Sequence, residues 1–267
     1  MPHNGNEGDS DLQTSAPLVK PRSRIAVIAL ALAVIALGAA VAAGFGHRFG
    51  WWSFGTGFTV LRNAAIAAMV GVALAIIGAY QTRPRGGRRG MPWALTALVI
   101  AATTAAVPLS WLWIASQVPP IHDISTDTDH PPKFVAILPL RADAPNSTRY
   151  GGAAVAAQQH RAYPDILPLS LHVPAAQAFT AAEATARDLG WHIVAADLPA
   201  GRIEATDTTF WFGFTDDIVV RLAPQPDGTV RIDARSVSRV GRSDVGANAR
   251  RLHRFLHGLA HRLDAGS

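Results

Sequence analysis

Three long apolar runs constrain the fold of this chain more than any other feature of its sequence. They span residues 25–45, 58–80 and 93–114, and Arg62 is the only charged residue in them. At about 1.5 Å per residue, each run can cross a hydrocarbon core of about 30 Å as a helix. Arg62 lies one turn inside the second run, from where its long side chain can reach the headgroups. The sequence therefore predicts three transmembrane helices in a lipid bilayer.

Basic residues around the three runs predict their orientation. Three lie in residues 20–24 and four in residues 81–90, whereas the connection between the first two runs has only Arg48 and residues 115–122 have none. Connections rich in Lys and Arg stay in the cytoplasm. We therefore expect a multi-pass protein of the cytoplasmic (inner) membrane, with its N-terminus in the cytoplasm and its C-terminal half in the periplasm or another extracytoplasmic space.

A cleaved signal peptide is the alternative interpretation of the first run, because basic residues precede it and Ala-Val-Ala occupies residues 40–42. Its apolar core is too long for that, so an anchoring helix is favoured. No acidic or basic residue lies deep in any run, which argues against an ion pump. We expect a disordered cytoplasmic tail over residues 1–19, a membrane domain over 20–117 and an extracytoplasmic domain over 118–267.

The net charge of +5 belongs to the hydrophobic half of the chain. Residues 1–117 hold nine Lys and Arg against three Asp and Glu, whereas residues 118–267 hold 15 against 16. A nucleic-acid-binding domain needs a basic face of its own, so no nucleic acid partner is expected. The chain has no cysteine, which excludes disulfides and thiolate catalysis.

The C-terminal half has the pattern of a water-soluble domain with its own core. Helices are predicted over residues 174–189 and 244–263, and strands over 191–197, 201–214, 216–222 and 229–238. The predicted fold class is α+β. Three transmembrane helices precede an exported two-layer domain, in which the helices pack on one face of an antiparallel sheet.

The last two predicted strands form a hairpin with a defined register. If Gln225 pairs with Thr229 across the short loop, Arg221 faces Asp233 and a cross-strand ion pair results. The apolar face, predicted to be buried, comprises Ile218, Val220, Leu222, Val230, Ile232 and Ala234. The opposite face, predicted to be open, carries Arg231, Asp233, Arg235 and Arg239.

The stretch SVSRVGRSDVGANARR, residues 236–251, concentrates polar side chains where a strand passes into a helix, and we call it the polar corner. Ser243 is the predicted N-cap, and Asp244 lies in the first turn, where its charge opposes the helix dipole. One interpretation is a pocket whose arginines grip a carboxylate or phosphate. The alternative is an arginine–aspartate network that locks the connection. The candidate ligand-binding residues are Asp217, Arg221, Asp233, Arg235, Ser238, Arg239, Arg242, Ser243, Asp244, Asn248 and Arg251.

Several segments together resemble the domain of unknown function 1499 family over roughly residues 119–260. They are HDISTD, PPKF, AYPDILPL, FGFTDDIVVRL and DARSVSRVGRSDVGANARRLHRFL. The resemblance implies a membrane-anchored layout but no reaction. Some relatives carry early cysteines that this chain lacks, so no thiol-dependent role is expected. The positions that match the family motif are Asp216, Asp217, Arg235, Ser238, Arg239, Gly241, Ser243, Asp244, Gly246 and Asn248.

Two reactive constellations can be assembled from the remaining residues. His253, His257 and His261 recur every four residues, as in helical metal sites, but the neighbouring arginines favour a solvated face. We expect no metal and no cofactor. Ser238 or Ser243 can be combined with Asp216 and a histidine, but no G-x-S-x-G elbow is present.

The sequence leaves three functions open. The favoured one is a non-catalytic extracytoplasmic domain that binds an anionic small molecule, a lipid headgroup or an envelope protein. The second is an envelope hydrolase or transferase that uses Asp244, Asn248 and a serine of the polar corner. The third is a structural subunit of a membrane complex, in which Gly71 and Gly78 allow close helix contact.

Overall fold

The computed structural model describes residues 20–264, so the predicted tail at residues 1–19 lies outside the described residues. In the described part, three helices are long and apolar enough to cross a membrane. They are α1 (Arg24–Arg48), α2 (Phe54–Thr82) and α3 (Met91–Gln117), which confirms the three predicted helices. Each is somewhat longer than its apolar run, because small and polar residues outside the run continue the helix, such as residues 46–48 of α1 and 115–117 of α3.

Small residues bring the three helices close together. One layer of the bundle contains an alanine from each helix, Ala29, Ala75 and Ala97. A Cβ atom on Gly78 would lie 3.1 Å from the Cα of Ala26, and one on Gly71 would lie 3.3 Å from the Cβ of Ala101. The two glycines therefore allow close contact between helices of this chain.

Six strands within the described residues form one antiparallel sheet, in the order β1-β6-β5-β4-β3, with β2 also paired to β6. The two strands that were not predicted, β1 and β2, have three residues each, too few for a periodic signal. The strands are β1 (Asp123–Ser125), β2 (Leu169–Leu171), β3 (His192–Asp197), β4 (Arg202–Thr208), β5 (Thr215–Pro224) and β6 (Val230–Ser238).

The helices α5 (Ala175–Asp188) and α6 (Ala247–Asp264) cover one face of the sheet, whereas α4 (Ala153–Ala162) packs at its edge. The core between the two layers includes Leu252 and Phe255 of α6, both completely buried. The predicted apolar face of the hairpin is buried there, and Arg221 pairs with Asp233 as the register required. The α+β arrangement of an antiparallel sheet with helices on one face is confirmed.

The opposite face of the sheet is covered, so the prediction of an open face is wrong. Phe134 and Ile137 pack against Val219 and Val237 in a second small core. Residues 126–150, which include a 3-10 helix at Leu138–Arg141, run across this face. The covering segment has little regular structure, which explains why periodicity did not reveal it.

Candidate functional site

The aromatic segment Thr209–Phe214, here called the aromatic tip, joins β4 to β5 and attaches the sheet to the membrane helices. It was predicted to continue a strand, but β4 ends at Thr208. Phe212 is 2% exposed and packs with Ala40, Ala43 and Leu61 of the bundle. Gly44 makes room for the tip, because a Cβ atom there would overlap the Trp211 ring.

Hydrogen bonds supplement this apolar contact. Trp211 Nε1 donates to the carbonyl oxygen of Val41 (3.0 Å), and His47 Nδ1 donates to that of Phe212 (2.6 Å). Arg48 donates to the carbonyl oxygens of Thr209 and Phe210, at 2.8 and 2.9 Å. The tip is therefore bound to the C-terminal end of α1 by both packing and polar contacts.

The polar corner lies next to the aromatic tip. The backbone N–H of Arg239 donates to the carbonyl oxygen of Thr215, which directly follows the tip (3.0 Å). The N–H of Asp244 donates to the carbonyl oxygen of Ile121, and a Cβ atom on Gly246 would lie 3.6 Å from Val118, which caps α3. The structure thus places the corner at the end of the sheet that adjoins the bundle.

On the helical face of the sheet, Arg251 lies at the centre of a buried polar network. Its Nη2 donates to Asp216 Oδ2 (2.6 Å) and its Nε to Asp207 Oδ2 (2.9 Å). It also contacts Asn248, whose side-chain nitrogen donates to Ser238 Oγ (3.0 Å). The charge of Arg251 is therefore balanced by carboxylates within the domain. These contacts form an arginine–aspartate network, which was the alternative interpretation of the polar corner.

A second group of the predicted residues lies on the other face of the sheet. Asp217 is completely buried and accepts hydrogen bonds from Arg239 (2.8 Å) and from Arg141. Arg235 binds both carboxylate oxygens of Asp123, at 2.9 and 2.7 Å. Such forked pairs are strong and directional. Adjacent aspartates, Asp216 and Asp217, thus point to opposite faces, and the candidate residues do not form one pocket.

Arg221 and Asp233 belong to a third cluster, further along the hairpin. Arg221 Nη2 lies 2.9 Å from Asp127 Oδ2 and 2.8 Å from Asp233 Oδ2, and Arg231 pairs with the same two carboxylates. Burial raises the pKa of Asp127, but hydrogen bonds from the His130 N–H and from Arg221, with the charge of Arg231, outweigh it and lower the pKa. This carboxylate therefore helps to hold the covering segment on the sheet.

Asp244, not Ser243, caps the last helix. Helix α6 begins at Ala247, and Asp244 accepts hydrogen bonds from the N–H groups of Gly246 (2.8 Å) and Asn248 (2.7 Å). Ser243 Oγ accepts only the N–H of Val245 in the preceding turn. The predicted N-cap at Ser243 and the predicted helix start at Asp244 are thus wrong, because the helix starts three residues after Asp244 and the Asp244 carboxylate caps it. Burial raises the pKa of Asp244, although these two hydrogen bonds oppose the shift.

Arg242 differs from the other candidate arginines. It is exposed on the corner, and among residues 20–264 it has no ion pair or side-chain hydrogen bond. Arg221, Arg235, Arg239 and Arg251 each have a carboxylate partner. Arg242 is therefore the candidate cation whose charge remains available to an external anion.

The histidine stripe on α6 does not assemble a metal site in the described residues, which contain no group of three or more His, Asp or Glu side chains placed to hold an ion. His253 and His257 stack with ring centroids 6.0 Å apart, and His253 Nε2 lies 2.9 Å from Asp165 Oδ2. Ser238 Oγ accepts a hydrogen bond from Asn248, and the Asp216 carboxylate accepts one from Arg251.

Sequence analysis missed the residues that hold the covering segment. Glu204 is completely buried and accepts the backbone N–H groups of Val135, Ala136 and Ile137 at 3.0–3.1 Å. Gln159 of α4 similarly bonds both backbone groups of Ser125. Buried carboxylates require several donors, but β4 also contains Arg202, Thr206 and Asp207, so no local pattern singled out Glu204.

Tyr150 provides a test of how tightly the covering segment closes. Its hydroxyl is buried without a hydrogen-bond partner among the described residues, and burial, assisted by Asp123, raises its pKa to about 12. Because an unfolded tyrosine loses its proton near pH 10, this group lowers stability as the pH rises above that value. We expect an absorbance titration of the full chain to show a phenolate component near pH 12.

Tyr150→Phe should remove that component, whereas the control Tyr80→Phe, at an exposed position, should retain it. At neutral pH, Tyr150→Phe should leave stability unchanged or raise it by about 1 kcal/mol, since a buried hydroxyl without a partner costs free energy. Titration of Tyr150 near pH 10, the value of an unfolded tyrosine, would contradict a closed segment.

Comparison with known proteins agrees with this architecture. No curated protein matches the chain. Residues 123–259 match the family model described as "Protein of unknown function (DUF1499)", and this region contains the six strands and most of α6. Since the match covers half of the chain, the protein belongs to the DUF1499 family, in a form with three helices before the family domain that are long and apolar enough to cross a membrane.

Proposed function

We propose that this protein is a non-catalytic binding protein of the cytoplasmic membrane, whose α+β domain recognises an anionic group on the extracytoplasmic side. The observation that carries the proposal is the attachment of the aromatic tip to the bundle. This attachment holds the polar corner, with the unpaired Arg242, beside the membrane. An anionic small molecule, a lipid headgroup and an acidic envelope protein share the chemistry that this position would recognise.

The distribution of charge supports this orientation. The tip binds the C-terminal end of α1, whereas the seven cations in residues 20–24 and 81–90 lie at the opposite end of the bundle. A 25-residue helix is about 37 Å long, enough to separate these ends by a membrane. If the cationic end stays in the cytoplasm, the α+β domain lies outside it.

The state of the candidate nucleophiles supports binding rather than catalysis. A serine nucleophile needs an adjacent base that is itself oriented by a third group. Ser238 Oγ is bonded to Asn248 and Ser243 Oγ to a backbone N–H, and neither contact involves a histidine. Asp216 is engaged by Arg251. The hydrolase alternative therefore has no geometric support in these residues.

Arg242→Gln tests the proposal without disturbing internal contacts. A charge-assisted hydrogen bond contributes about 1.5–3 kcal/mol, so we expect this variant to bind the ligand roughly ten to a hundred times more weakly. The measurement is native mass spectrometry of the full chain extracted from its membrane, which detects an anionic mass retained by the wild type and lost from the variant.

The matched control is Arg254→Gln, which removes the same charge from an exposed position on α6. It should retain the mass. A bound mass that all three proteins keep, or a wild-type protein with no bound mass, would contradict recognition through Arg242. The identity of the mass separates a lipid from a small molecule or a protein.

A further inference from the structure

A groove on the membrane bundle lies at the end opposite to the α+β domain. It runs along the first half of α1, is bounded on the α3 side by Arg89, Gly90 and Trp93, and has a volume of about 520 Å³. Its walls are apolar and include Val27, Val34 and Ile35. Ligand-binding cavities have volumes of about 300–1,000 Å³, so the groove is large enough for part of an amphipathic molecule.

Two arginines close one end of the groove. Arg22 and Arg89 are held side by side, because the N–H of Ser23 donates to the carbonyl oxygen of Arg89 and the N–H of Arg89 to that of Pro21, both at 3.0 Å. Both arginines are exposed, and neither has an ion pair or a side-chain hydrogen bond within residues 20–264. Two forked cationic donors thus face the head of an apolar channel.

Among residues 20–264, no carboxylate pairs with either arginine. Residues 20–117 contain no aspartate or glutamate, and the α+β domain, with its carboxylates, packs at the other end of the bundle. Basic pockets between transmembrane helices attract anionic lipid headgroups. A phosphate between Arg22 and Arg89 would therefore neutralise two charges that have no carboxylate partner within the described residues.

The length of the groove fits one acyl chain. From Val27 to Ile35, α1 rises by about 12 Å, and one leaflet of the hydrocarbon core is about 15 Å thick. A lipid whose phosphate lies at the arginines can therefore extend its chain along this wall within the same leaflet. Ala31, which is small and exposed, leaves the middle of the channel free.

We propose that this groove binds one anionic phospholipid, with its phosphate between Arg22 and Arg89 and one acyl chain along α1. This site is separate from the polar corner. Its contacts with the lipid are the same on whichever side of the membrane the cationic end lies. The probe is dioleoylphosphatidylglycerol, compared with dioleoylphosphatidylcholine, titrated into the detergent-solubilised full chain and detected by native mass spectrometry. The first phosphatidylglycerol should bind at least about tenfold more tightly than the first phosphatidylcholine.

Matched variants distinguish binding of the lipid in this groove from general electrostatic attraction of the lipid to the cationic end of the bundle. Arg22→Gln with Arg89→Gln should lower the affinity for the first phosphatidylglycerol at least about tenfold. Arg85→Gln with Arg88→Gln removes the same charge from exposed positions that do not line the groove, and should change it less than about twofold. Ala31→Trp fills the channel, keeps both arginines, and should also weaken binding at least about tenfold.

Three results would each overturn the proposal. They are equal affinity for the two lipids, equal loss in the two arginine pairs, and unchanged binding in Ala31→Trp. Arg242→Gln provides the link to the proposed function, because it should leave this lipid bound even if it abolishes binding at the polar corner. Failure of one site is therefore distinguishable from failure of the other.

Discussion

Arg251→Met is expected to lower the free energy of unfolding of the α+β domain by about 3–5 kcal/mol, because it leaves buried carboxylates without their cation. Arg251 and Asp216 have side chains only 4% and 7% exposed, and they are joined by a hydrogen bond of 2.6 Å. Asn248 and Asp207 would also lose a donor. The measurement is hydrogen exchange of the β5 and β6 amides in the detergent-solubilised full chain.

Two further variants test the physical reason. Arg254→Met removes an exposed arginine of the same helix and should cost less than about 0.5 kcal/mol. Arg251→Met combined with Asp216→Asn removes the buried negative charge as well, and should recover part of the loss. A small loss in Arg251→Met would show that this network contributes little to the domain and that its arginine is free for another role.

Cysteines introduced at Arg48 and Gly213 are expected to form a disulfide in most molecules, because the aromatic tip is fixed on the end of α1. A Cβ atom on Gly213 would lie 3.3 Å from the Cβ of Arg48, close to the separation of about 3.5–4.5 Å in disulfides. The native chain contains no cysteine, so no other thiol competes. The cross-link is measured in isolated membranes as the loss of two thiols that react with a maleimide.

Gly228→Cys is the matched control, because Gly228, like Gly213, has a positive φ and lies in a loop between two strands. Its loop joins β5 to β6. Combined with Arg48→Cys, it should give no cross-link. Trp211→Ala with Phe212→Ala should reduce the cross-link between 48 and 213, because loss of a buried aromatic side chain costs about 3–5 kcal/mol. Efficient cross-linking to residue 228 would contradict the docked arrangement.

Much of the fold was accessible to sequence analysis because its signals are local. The three membrane helices follow from run length, which the thickness of a bilayer fixes. The pairing of Arg221 with Asp233 follows from loop length and from the two-residue period of strands. Helix starts were less accessible, because Ser243 and Asp244 are both good caps and only the backbone decides between them.

The candidate site was only partly accessible. The sequence identified the polar residues of the corner but not their partners, since every arginine can pair with any aspartate. Arg141 and Asp217 are 76 residues apart, and Arg235 and Asp123 are 112 apart. Such pairs depend on how distant segments pack, which no short-range pattern encodes. The structure alone therefore shows that Arg242 is the candidate arginine without a carboxylate partner within residues 20–264.

The sequence by itself determined the three spans, the two-layer α+β class and the register of the main hairpin, since each depends on periodicity or length within a few residues. Only the tertiary structure decided what lies on the second face of the sheet and where the aromatic tip goes. Glu204 accepts hydrogen bonds from the backbone of residues 135–137 and so holds them on the sheet. Gly44 has no side chain, which leaves space for Trp211 against the bundle. Both contacts join segments far apart in the chain, where burial and hydrogen bonding act together and local pattern carries no information.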